Sequence, residues 1–322
     1  MKKTSAIILK RFLLPLIALV LGVSATHFNS SEKKMVNAPG IEGRWDITIH
    51  AAEKDLPSWL EVTHSGNHTL VGQFVGVSGS ARPISRINFE NGKLNFSIPP
   101  QWEQGGNDLK VEGTLEEDNL SGTMIMPDGK TITWTAVRAP SLRQEKQPVW
   151  GAPVKLFNGQ NLDGWQAMGT NQWVAEAGNL KSPKSGANIY TTRTFTNFKL
   201  HIEFRYPKES NSGVYLRGRY EVQISDSKGM EPSKGDFGSI YGFICPSEMA
   251  AKAPGEWQTY DVTLVGRMLS VVANGKQIIC NQEIPGITGG ALDSREWQPG
   301  PILLQGDHGP IEYRNIIITP AK

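Results

Sequence analysis

The chain has 322 residues, enough for about two domains of roughly 150 residues each. Hydrophobic residues make up 39% and charged residues 20%, a globular balance that excludes a wholly disordered chain. The formal charge of +2 is misleading, because the first 25 residues carry four basic residues and no acid. Subtracting these four from 33 leaves 29 basic residues against 31 acidic ones. Such a nearly neutral body gives no electrostatic reason to expect nucleic acid or an anionic membrane as a partner.

The first 25 residues have the pattern of a secretory signal peptide. Basic residues precede an apolar run of 12 residues from Phe12 to Val23, and Val23-Ser24-Ala25 offers a small-residue cleavage site. A membrane-spanning helix needs roughly 20 apolar residues. We therefore expect cleavage after Ala25, export to the periplasm or the medium, and no stable membrane insertion afterwards. An uncleaved N-terminal anchor is the alternative, and residues 26–40 are expected to form a polar tether.

Residues 41–138 alternate between apolar and polar residues over short segments, which predicts β-strands. Asn91-Gly92, Asp118-Asn119 and Asp128-Gly129 are hairpin signals between them. About eight strands in fewer than 100 residues favour a small lipocalin-like barrel or a compact sandwich. Gly43-x-Trp45 resembles the first strand of lipocalin-like barrels.

Residues 139–150 carry charge and two prolines without alternation, and are expected to be a linker. Residues 151–322 alternate again, with a hairpin signal at Asn274-Gly275. Their length and strand number predict a two-sheet, concanavalin-like jelly-roll sandwich, so the whole exported chain is expected to be all-β. Cys245 and Cys280 could pair in an oxidising compartment, but the sequence leaves this open.

Residue parity separates the core side of a strand from its opposite side. Residues 200–205, 214–224 and 302–308 each carry an apolar row and an opposite polar row. The polar rows contain Glu203, Arg205, Tyr215, Arg217, Glu221, Gln223, Gln305 and Asp307. These residue types hydrogen-bond to sugar hydroxyls, so we expect one polar groove if the strands are neighbours. A solvated outer face of a sheet is the alternative.

The loop from Gln305 to Pro310 brackets Asp307 and His308 with two glycines and a proline. A histidine beside a carboxylate at the end of a strand is a candidate general base. The alternative is a turn in which Asp307 only caps backbone amides.

Four motifs, in order, carry a family resemblance: Leu156–Trp165, Asn211–Ile224, Gly255–Asp261 and Leu304–Ile316. Because of these motifs, residues 153–320 resemble the 3-keto-disaccharide hydrolase domain family, which was long catalogued as a domain of unknown function. The resemblance implies a concanavalin-like sandwich, export in bacteria, and cleavage of glycosides oxidised at the 3-position of the sugar. Residues 41–138 resemble the small β domain that often precedes this domain.

Such a substrate implies a particular chemistry. The ketone acidifies the hydrogen at C2, a base removes it, the aglycone leaves C1 by elimination, and water adds to the resulting enone. The expected catalytic residues are His308, Glu221, Arg217 and Glu203, with Tyr215, Gln223, Arg205, Asp307, Gln305 and Tyr241 as expected substrate-binding residues. His308 or Glu221 would be the base, and Arg217 would stabilise the enolate. Glu203 or Asp307 would act as the acid or orient another group.

A divalent metal ion could replace Arg217 as the electrophile, and no other cofactor is expected. His201, Glu203, Glu221 and His308 are suitable ligand types, although no spacing defines a metal site.

Two other functions remain open. A conventional glycosidase on unoxidised glycans would need two carboxylates about 5–9.5 Å apart, for which Glu203 and Glu221 are the candidates. A non-catalytic carbohydrate-binding or adhesion module would instead expose stacking aromatic side chains, for which Tyr215, Tyr241 and Trp257 are the candidates.

Overall fold

A computed structural model describes residues 40–322, in which every element of regular secondary structure is a β-strand. The expected signal peptide and nearly all of the expected tether lie outside the described residues. The all-β prediction is confirmed, and the strands form a closed barrel and a two-sheet sandwich that belong to one compact unit.

Eight antiparallel strands form the barrel in chain order, and β8 pairs with β1 to close it. These strands are β1 (Gly43–His50), β2 (Asp55–Ser65), β3 (Thr69–Val75), β4 (Arg82–Glu90), β5 (Lys93–Ile98), β6 (Leu109–Glu116), β7 (Asn119–Ile125) and β8 (Thr131–Arg138). Trp45 is fully buried, its indole nitrogen donates to the Ile41 carbonyl over 2.9 Å, and the Arg138 guanidinium stacks on it 4.0 Å from its ring centre. The structure therefore selects the barrel over the compact sandwich for this region.

The jelly-roll sandwich consists of a five-stranded sheet and an eight-stranded sheet. The five-stranded sheet has the order β10 (Trp165–Ala167), β13 (Ile189–Thr191), β20 (Leu303–Leu304), β15 (Asn211–Leu216) and β16 (Tyr220–Ser225). The eight-stranded sheet has the order β11 (Val174–Glu176), β12 (Asn179–Ser182), β21 (Ile311–Pro320), β14 (Phe198–Arg205), β17 (Gln258–Val265), β18 (Met268–Ala273) and β19 (Lys276–Glu283), with β9 (Val154–Lys155) paired to β21.

The core of the sandwich lies between the two sheets. Ile202 and Phe204 of β14 and Val214 and Val222 of β15 and β16 are fully buried in one cluster. Side chains of opposite parity therefore lie on the two outer faces, which point in opposite directions. Because packed sheets are about 10 Å apart, groups on different outer faces cannot meet at one substrate.

The outer surface of the barrel packs against loops of the sandwich. Trp59 contacts Phe243 edge-to-face, with ring centres 5.3 Å apart, and it belongs to the core cluster of the sandwich. The Arg44 guanidinium donates to Glu283 across the same junction over 2.7 Å. A barrel loop, residues 76–81, also contacts the sandwich, since the Gly290 backbone amide donates to the Val77 carbonyl over 2.9 Å.

The part of the chain covered by the structure contains no helix long and apolar enough to cross a bilayer. Cys245 and Cys280 are both free and exposed.

Candidate functional site

Glu221 lies on the outer face of the five-stranded sheet. Val222 and Ile224 point into the core, so the alternation of β16 turns Glu221 outward, directly opposite Tyr215 of β15. The loop at residues 288–290 covers it, since the Glu221 backbone amide donates to Thr288 Oγ1 over 3.0 Å. Glu221 is consequently only 4% exposed, although it faces away from the core.

The Tyr215 hydroxyl sits between two acceptors, 2.9 Å from Glu221 Oε2 and 3.0 Å from the Gly289 carbonyl. A phenol has one hydrogen, so it cannot fully satisfy both. If Glu221 is protonated, its own hydroxyl donates to the tyrosine oxygen and the tyrosine donates to Gly289. The geometry therefore suits a neutral Glu221.

The pKa values agree with this arrangement. Burial is the largest effect on Glu221 and raises its pKa to about 8. The Tyr215 hydrogen bond and the charge of His308 act in the opposite direction, while the charge of Asp307 adds to the increase. At neutral pH the Glu221 carboxyl is mostly protonated, which makes it a proton donor rather than a base.

Gly213 leaves room for this carboxyl, and Gln223 holds it in place. A Cβ on Gly213 would lie 2.2 Å from Glu221 Oε1, so no larger residue fits at position 213 without displacing the carboxyl. With its amide nitrogen turned toward the site, Gln223 donates to Glu221 Oε1 over 3.2 Å and to the Ser212 carbonyl over 3.1 Å. Glu221 is thus held by contacts to both of its oxygens.

His308 and Asp307 lie in the loop after β20, close enough to Glu221 to shift its pKa. His308 Nδ1 is 2.7 Å from Asp307 Oδ1, and both side chains are about half exposed. This hydrogen bond is the main reason why the pKa of His308 is raised, with the Asp307 and Glu221 charges adding to it and burial opposing it. In the neutral ring Nδ1 keeps the proton that it shares with Asp307, which leaves Nε2 free to accept one.

Tyr241 and Gln305 complete this face. The Tyr241 backbone amide donates to the Glu221 carbonyl over 3.2 Å, and burial together with the Glu221 charge raises the pKa of the Tyr241 hydroxyl. The Gln305 backbone amide donates to the Gly213 carbonyl over 3.0 Å. Its side-chain oxygen is buried and has no hydrogen-bond partner among the described residues. The face therefore offers a buried acid, a histidine base and two further polar groups.

Glu203 and Arg205 do not belong to this site, which corrects the expectation of one groove. They lie on β14, whose Ile202 and Phe204 fill the core, so they project from the outer face of the eight-stranded sheet. Each is paired there: Glu203 Oε2 accepts from Arg314 Nε over 2.7 Å, and Arg205 donates to Glu312 over 2.9 Å. Parity identified their side of the strand correctly but could not assign β14 to a sheet.

Arg217 does not face this site either, contrary to the expectation. It lies in the turn between β15 and β16 with a left-handed backbone, φ of 53°, so the alternation of the strand does not continue through it. Its buried guanidinium donates to the Tyr220 hydroxyl over 2.8 Å and to the Gly266 carbonyl over 3.1 Å. Arg217 therefore supports the end of the hairpin and does not face Glu221.

These positions affect the two alternative functions and the expected metal ligands. A glycosidase pair of Glu203 and Glu221 is not formed, because the two carboxylates are on opposite outer faces. The same separation divides His201 and Glu203 from Glu221 and His308. Within residues 40–322, no cluster of three or more His, Cys, Asp or Glu side chains could hold a metal ion.

The aromatic candidates for sugar stacking are not placed on one open surface. Tyr215 is buried, and Trp257 lies on the eight-stranded sheet between Arg205 and Arg314, 4.9 and 3.8 Å from their guanidinium carbons.

Three glycines that shape the site were not predicted from the sequence: Gly213, Gly289 and Gly290. A glycine in the middle of a strand signals close approach of another group, so Gly213 could have been noticed beside the predicted Glu221. Gly289 and Gly290 carried no such signal, since their neighbours come from distant parts of the chain.

Comparison with known proteins gives a match to a family and several similar folds. Residues 152–319 match the profile of the 3-keto-alpha-glucoside-1,2-lyase-like domain. Among solved structures, a candidate glycosyl hydrolase from Parabacteroides distasonis is 27% identical with a TM-score of 0.44, covering 56% of this chain and 96% of that one. A second candidate glycosyl hydrolase from the same organism is 25% identical with a TM-score of 0.41, covering 52% and 98%. The carbohydrate-binding module CBM66 from Bacillus subtilis is 11% identical with a TM-score of 0.33, covering 48% and 95%. No curated protein matches the chain.

Proposed function

Because the chain belongs to the family of 3-keto-alpha-glucoside-1,2-lyase-like domains, we propose that it cleaves glycosides whose glucose ring is oxidised at C3. One observation carries this proposal. A buried Glu221, whose pKa is about 8, and the half-exposed His308–Asp307 pair lie near each other beside the five-stranded sheet. One group holds a proton at neutral pH, and the other can accept one.

The first step is removal of the hydrogen at C2 of the sugar. The neighbouring C3 ketone makes this hydrogen acidic, because the resulting charge is delocalised onto the carbonyl oxygen as an enolate. His308 Nε2 accepts the proton, and Asp307 stabilises the imidazolium that forms through the bond to Nδ1. The exposed side of the ring gives the substrate access to this nitrogen.

The second step breaks the bond between C1 and the aglycone oxygen. The enolate electrons form the C1–C2 double bond as the aglycone leaves, and an alkoxide leaving group needs a proton at that moment. Glu221 supplies it. Its burial keeps it protonated until the developing alkoxide approaches, and Tyr215 and Gln223 orient the carboxyl.

The enolate oxygen needs a hydrogen-bond donor that Arg217 does not supply. We assign this role to the Tyr241 hydroxyl, which is half-buried and close enough to Glu221 for the Glu221 charge to raise its pKa. A tyrosine hydroxyl in a partly desolvated position stabilises an oxyanion better than bulk water does.

Hydration returns the enzyme to its starting state. Water adds to C1 of the enone while the Glu221 carboxylate takes one of its protons. The imidazolium of His308 returns a proton to C2, and the product is the free 3-keto sugar. Both catalytic groups then carry the protons with which they began.

We also propose that this reaction takes place outside the cytoplasm, after export directed by residues 1–25. The expected mature protein begins at residue 26, and intact-mass measurement of the exported protein tests this. Exported protein that still begins at Met1 contradicts it.

The direct test of the function is an assay of the purified protein on a 3-keto-glycoside and on its unoxidised parent. Release of 3-keto-glucose, or of its dehydrated enone, from the oxidised glycoside alone is the expected result. Equal cleavage of both glycosides favours a conventional glycosidase, and binding without cleavage of either favours a carbohydrate-binding module.

A further inference from the structure

The barrel places an exposed tryptophan beside the candidate site. Trp102, in the loop between β5 and β6, is 68% exposed, more than any other of the large hydrophobic side chains that the structure describes. Because this indole is largely exposed, most of its surface is available to contact a ligand.

The loop that carries Trp102 is tightly held. The Arg82 guanidinium donates to Glu103 Oε1 over 2.6 Å, and Glu103 Oε2 accepts the backbone amides of Gln101 and Trp102 over 2.8 and 3.2 Å. Arg82 and Glu103 are both largely buried, with 10% and 17% of their side chains exposed. An exposed indole on such a loop is preorganised, which lowers the entropic cost of binding a ligand.

A short series of contacts joins Trp102 to Glu221. A Cβ on Gly79 would lie 2.8 Å from Trp102 Cδ1, and a Cβ on Gly289 would lie 2.2 Å from the Gly79 carbonyl oxygen. Gly289 in turn accepts a hydrogen bond from Tyr215, which contacts Glu221. The barrel loop at 76–81 is therefore packed directly on the loop that covers the buried acid.

A second contact connects the same barrel loop to the other side of the site. A Cβ on Gly242 would lie 2.6 Å from the Ala81 backbone nitrogen, and Gly242 follows Tyr241, whose amide donates to the Glu221 carbonyl. Residues 76–81 thus touch both loops that flank Glu221. The barrel is part of the wall of this site.

From these contacts we propose that Trp102 is the stacking platform for a second sugar ring, the aglycone of the 3-keto-glycoside. The proposal rests on the proposed function, because it takes Glu221 as the group that protonates the departing aglycone. The electron-rich face of an indole packs well against the C–H groups of a pyranose, while the sugar hydroxyls stay in water. The barrel thereby selects substrates whose aglycone is itself a sugar.

The experiment compares two substrates, a 3-keto-disaccharide and the methyl 3-keto-glucoside, by their ratio of kcat/KM. Trp102→Ala is expected to lower this ratio about three- to tenfold, since only the disaccharide has a ring that reaches the indole. Trp102→Tyr should restore much of it. The matched control is Trp297→Ala, which removes an exposed tryptophan from a sandwich loop and should keep the wild-type ratio. An unchanged ratio in Trp102→Ala overturns the proposal.

A binding measurement separates this proposal from the proposed function. Saturation-transfer NMR with an unoxidised glucose disaccharide reports which ring contacts the protein, with or without turnover. If the wild type cleaves neither 3-keto substrate, the proposed function fails. The platform still stands if saturation reaches the second ring in the wild type and is lost in Trp102→Ala. Equal transfer in both proteins, or no binding to the wild type, overturns it.

Discussion

The Tyr215 hydroxyl lies 2.9 Å from Glu221 Oε2 on the outer face of the five-stranded sheet, and neither side chain is more than 4% exposed. A carboxyl that is buried against a phenol, rather than against a cation, remains neutral at physiological pH. This contact makes Glu221 the acid of the proposed reaction and leaves the role of base to His308.

Glu221→Gln removes the proton donor with little change in shape. For a 3-keto-disaccharide, whose leaving group is a sugar alkoxide, kcat/KM should fall by about 10²–10⁴. For a 3-keto-glucoside of 4-nitrophenol the loss should be much smaller, because that leaving group departs without protonation. Steady-state kinetics on both substrates checks this, with Glu203→Gln as the matched control on the other sheet. Equal losses on both substrates would show that Glu221 is not the acid.

The pH dependence should be bell-shaped. Activity needs His308 deprotonated, so it rises through the elevated pKa of this group, and it needs Glu221 protonated, so it falls above a pH of about 8. Asp307→Asn should move the rising limb to lower pH, because the Asp307 hydrogen bond is the main cause of the elevated His308 pKa. Glu221→Gln should abolish the falling limb. A profile of kcat/KM that keeps this limb in Glu221→Gln would assign it to another group.

His308→Ala should lose about 10²–10⁴ in rate on every 3-keto-glycoside, whatever the leaving group, because proton abstraction at C2 precedes departure of the aglycone. His201 provides a matched control: its Nδ1 is 2.7 Å from Asp261 Oδ1, the same geometry as in the His308–Asp307 pair, but on the eight-stranded sheet. Kinetics of His201→Ala should match the wild type. A comparable loss in both variants would indicate a general effect on folding.

Asp46 offers a test of the junction between barrel and sandwich. This β1 carboxyl is 3% exposed and faces the Glu296 carboxylate, to which its protonated form donates a hydrogen bond. Burial is the first cause that raises its pKa, and repulsion by Glu296 is the second, partly offset by the charges of Arg267 and Arg219. Glu296 is itself paired with Arg267 over 2.7 Å.

An acid whose pKa is higher in the folded protein binds more protons there than in the unfolded chain. Its contribution to stability therefore declines as the pH rises from the unfolded value of about 4 toward the raised value. Asp46→Asn should make the midpoint of urea unfolding less dependent on pH and raise it at pH 8. The exposed substitution Glu90→Gln serves as the control. A pH dependence that Asp46→Asn leaves unchanged would contradict the assignment.

Much of the site follows from local rules. Glu221 and Gln223 lie within β16, whose unbroken alternation placed them on one face. Tyr215 joined them although the predicted strand at 214–224 is two strands, because β15 and β16 pair with Tyr215 opposite Glu221. Asp307 and His308 were found because glycines and a proline surround two titratable residues at a strand end. The strand pattern likewise predicted the jelly-roll sandwich, and it narrowed the N-terminal domain to a small barrel or a compact sandwich, since alternation and turn residues are local properties.

The errors have two physical causes. Arg217 was assigned by extending parity through a residue with a left-handed backbone, which reverses the side chain's direction. Glu203 and Arg205 were assigned correctly to the outward side of β14, but a sandwich has two outward sides. Which sheet a strand joins depends on pairings between distant segments, such as β14 with β17 and β21. The contact of residues 76–81 with the loops around Glu221 could not be predicted for the same reason, because it joins segments that are far apart in the sequence.

The central claim is that cleavage proceeds by removal of the C2 proton and elimination of the aglycone. The most direct test is the reaction of a 3-keto-glycoside in heavy water, followed by early NMR or mass analysis of the product. Because the His308 side chain is 51% exposed, the abstracted proton can exchange with solvent before it is returned. The account predicts a 3-keto sugar with deuterium at C2, or an enone that has lost the C2 hydrogen. A 3-keto sugar that retains its original C2 hydrogen throughout would contradict elimination and indicate direct displacement at C1.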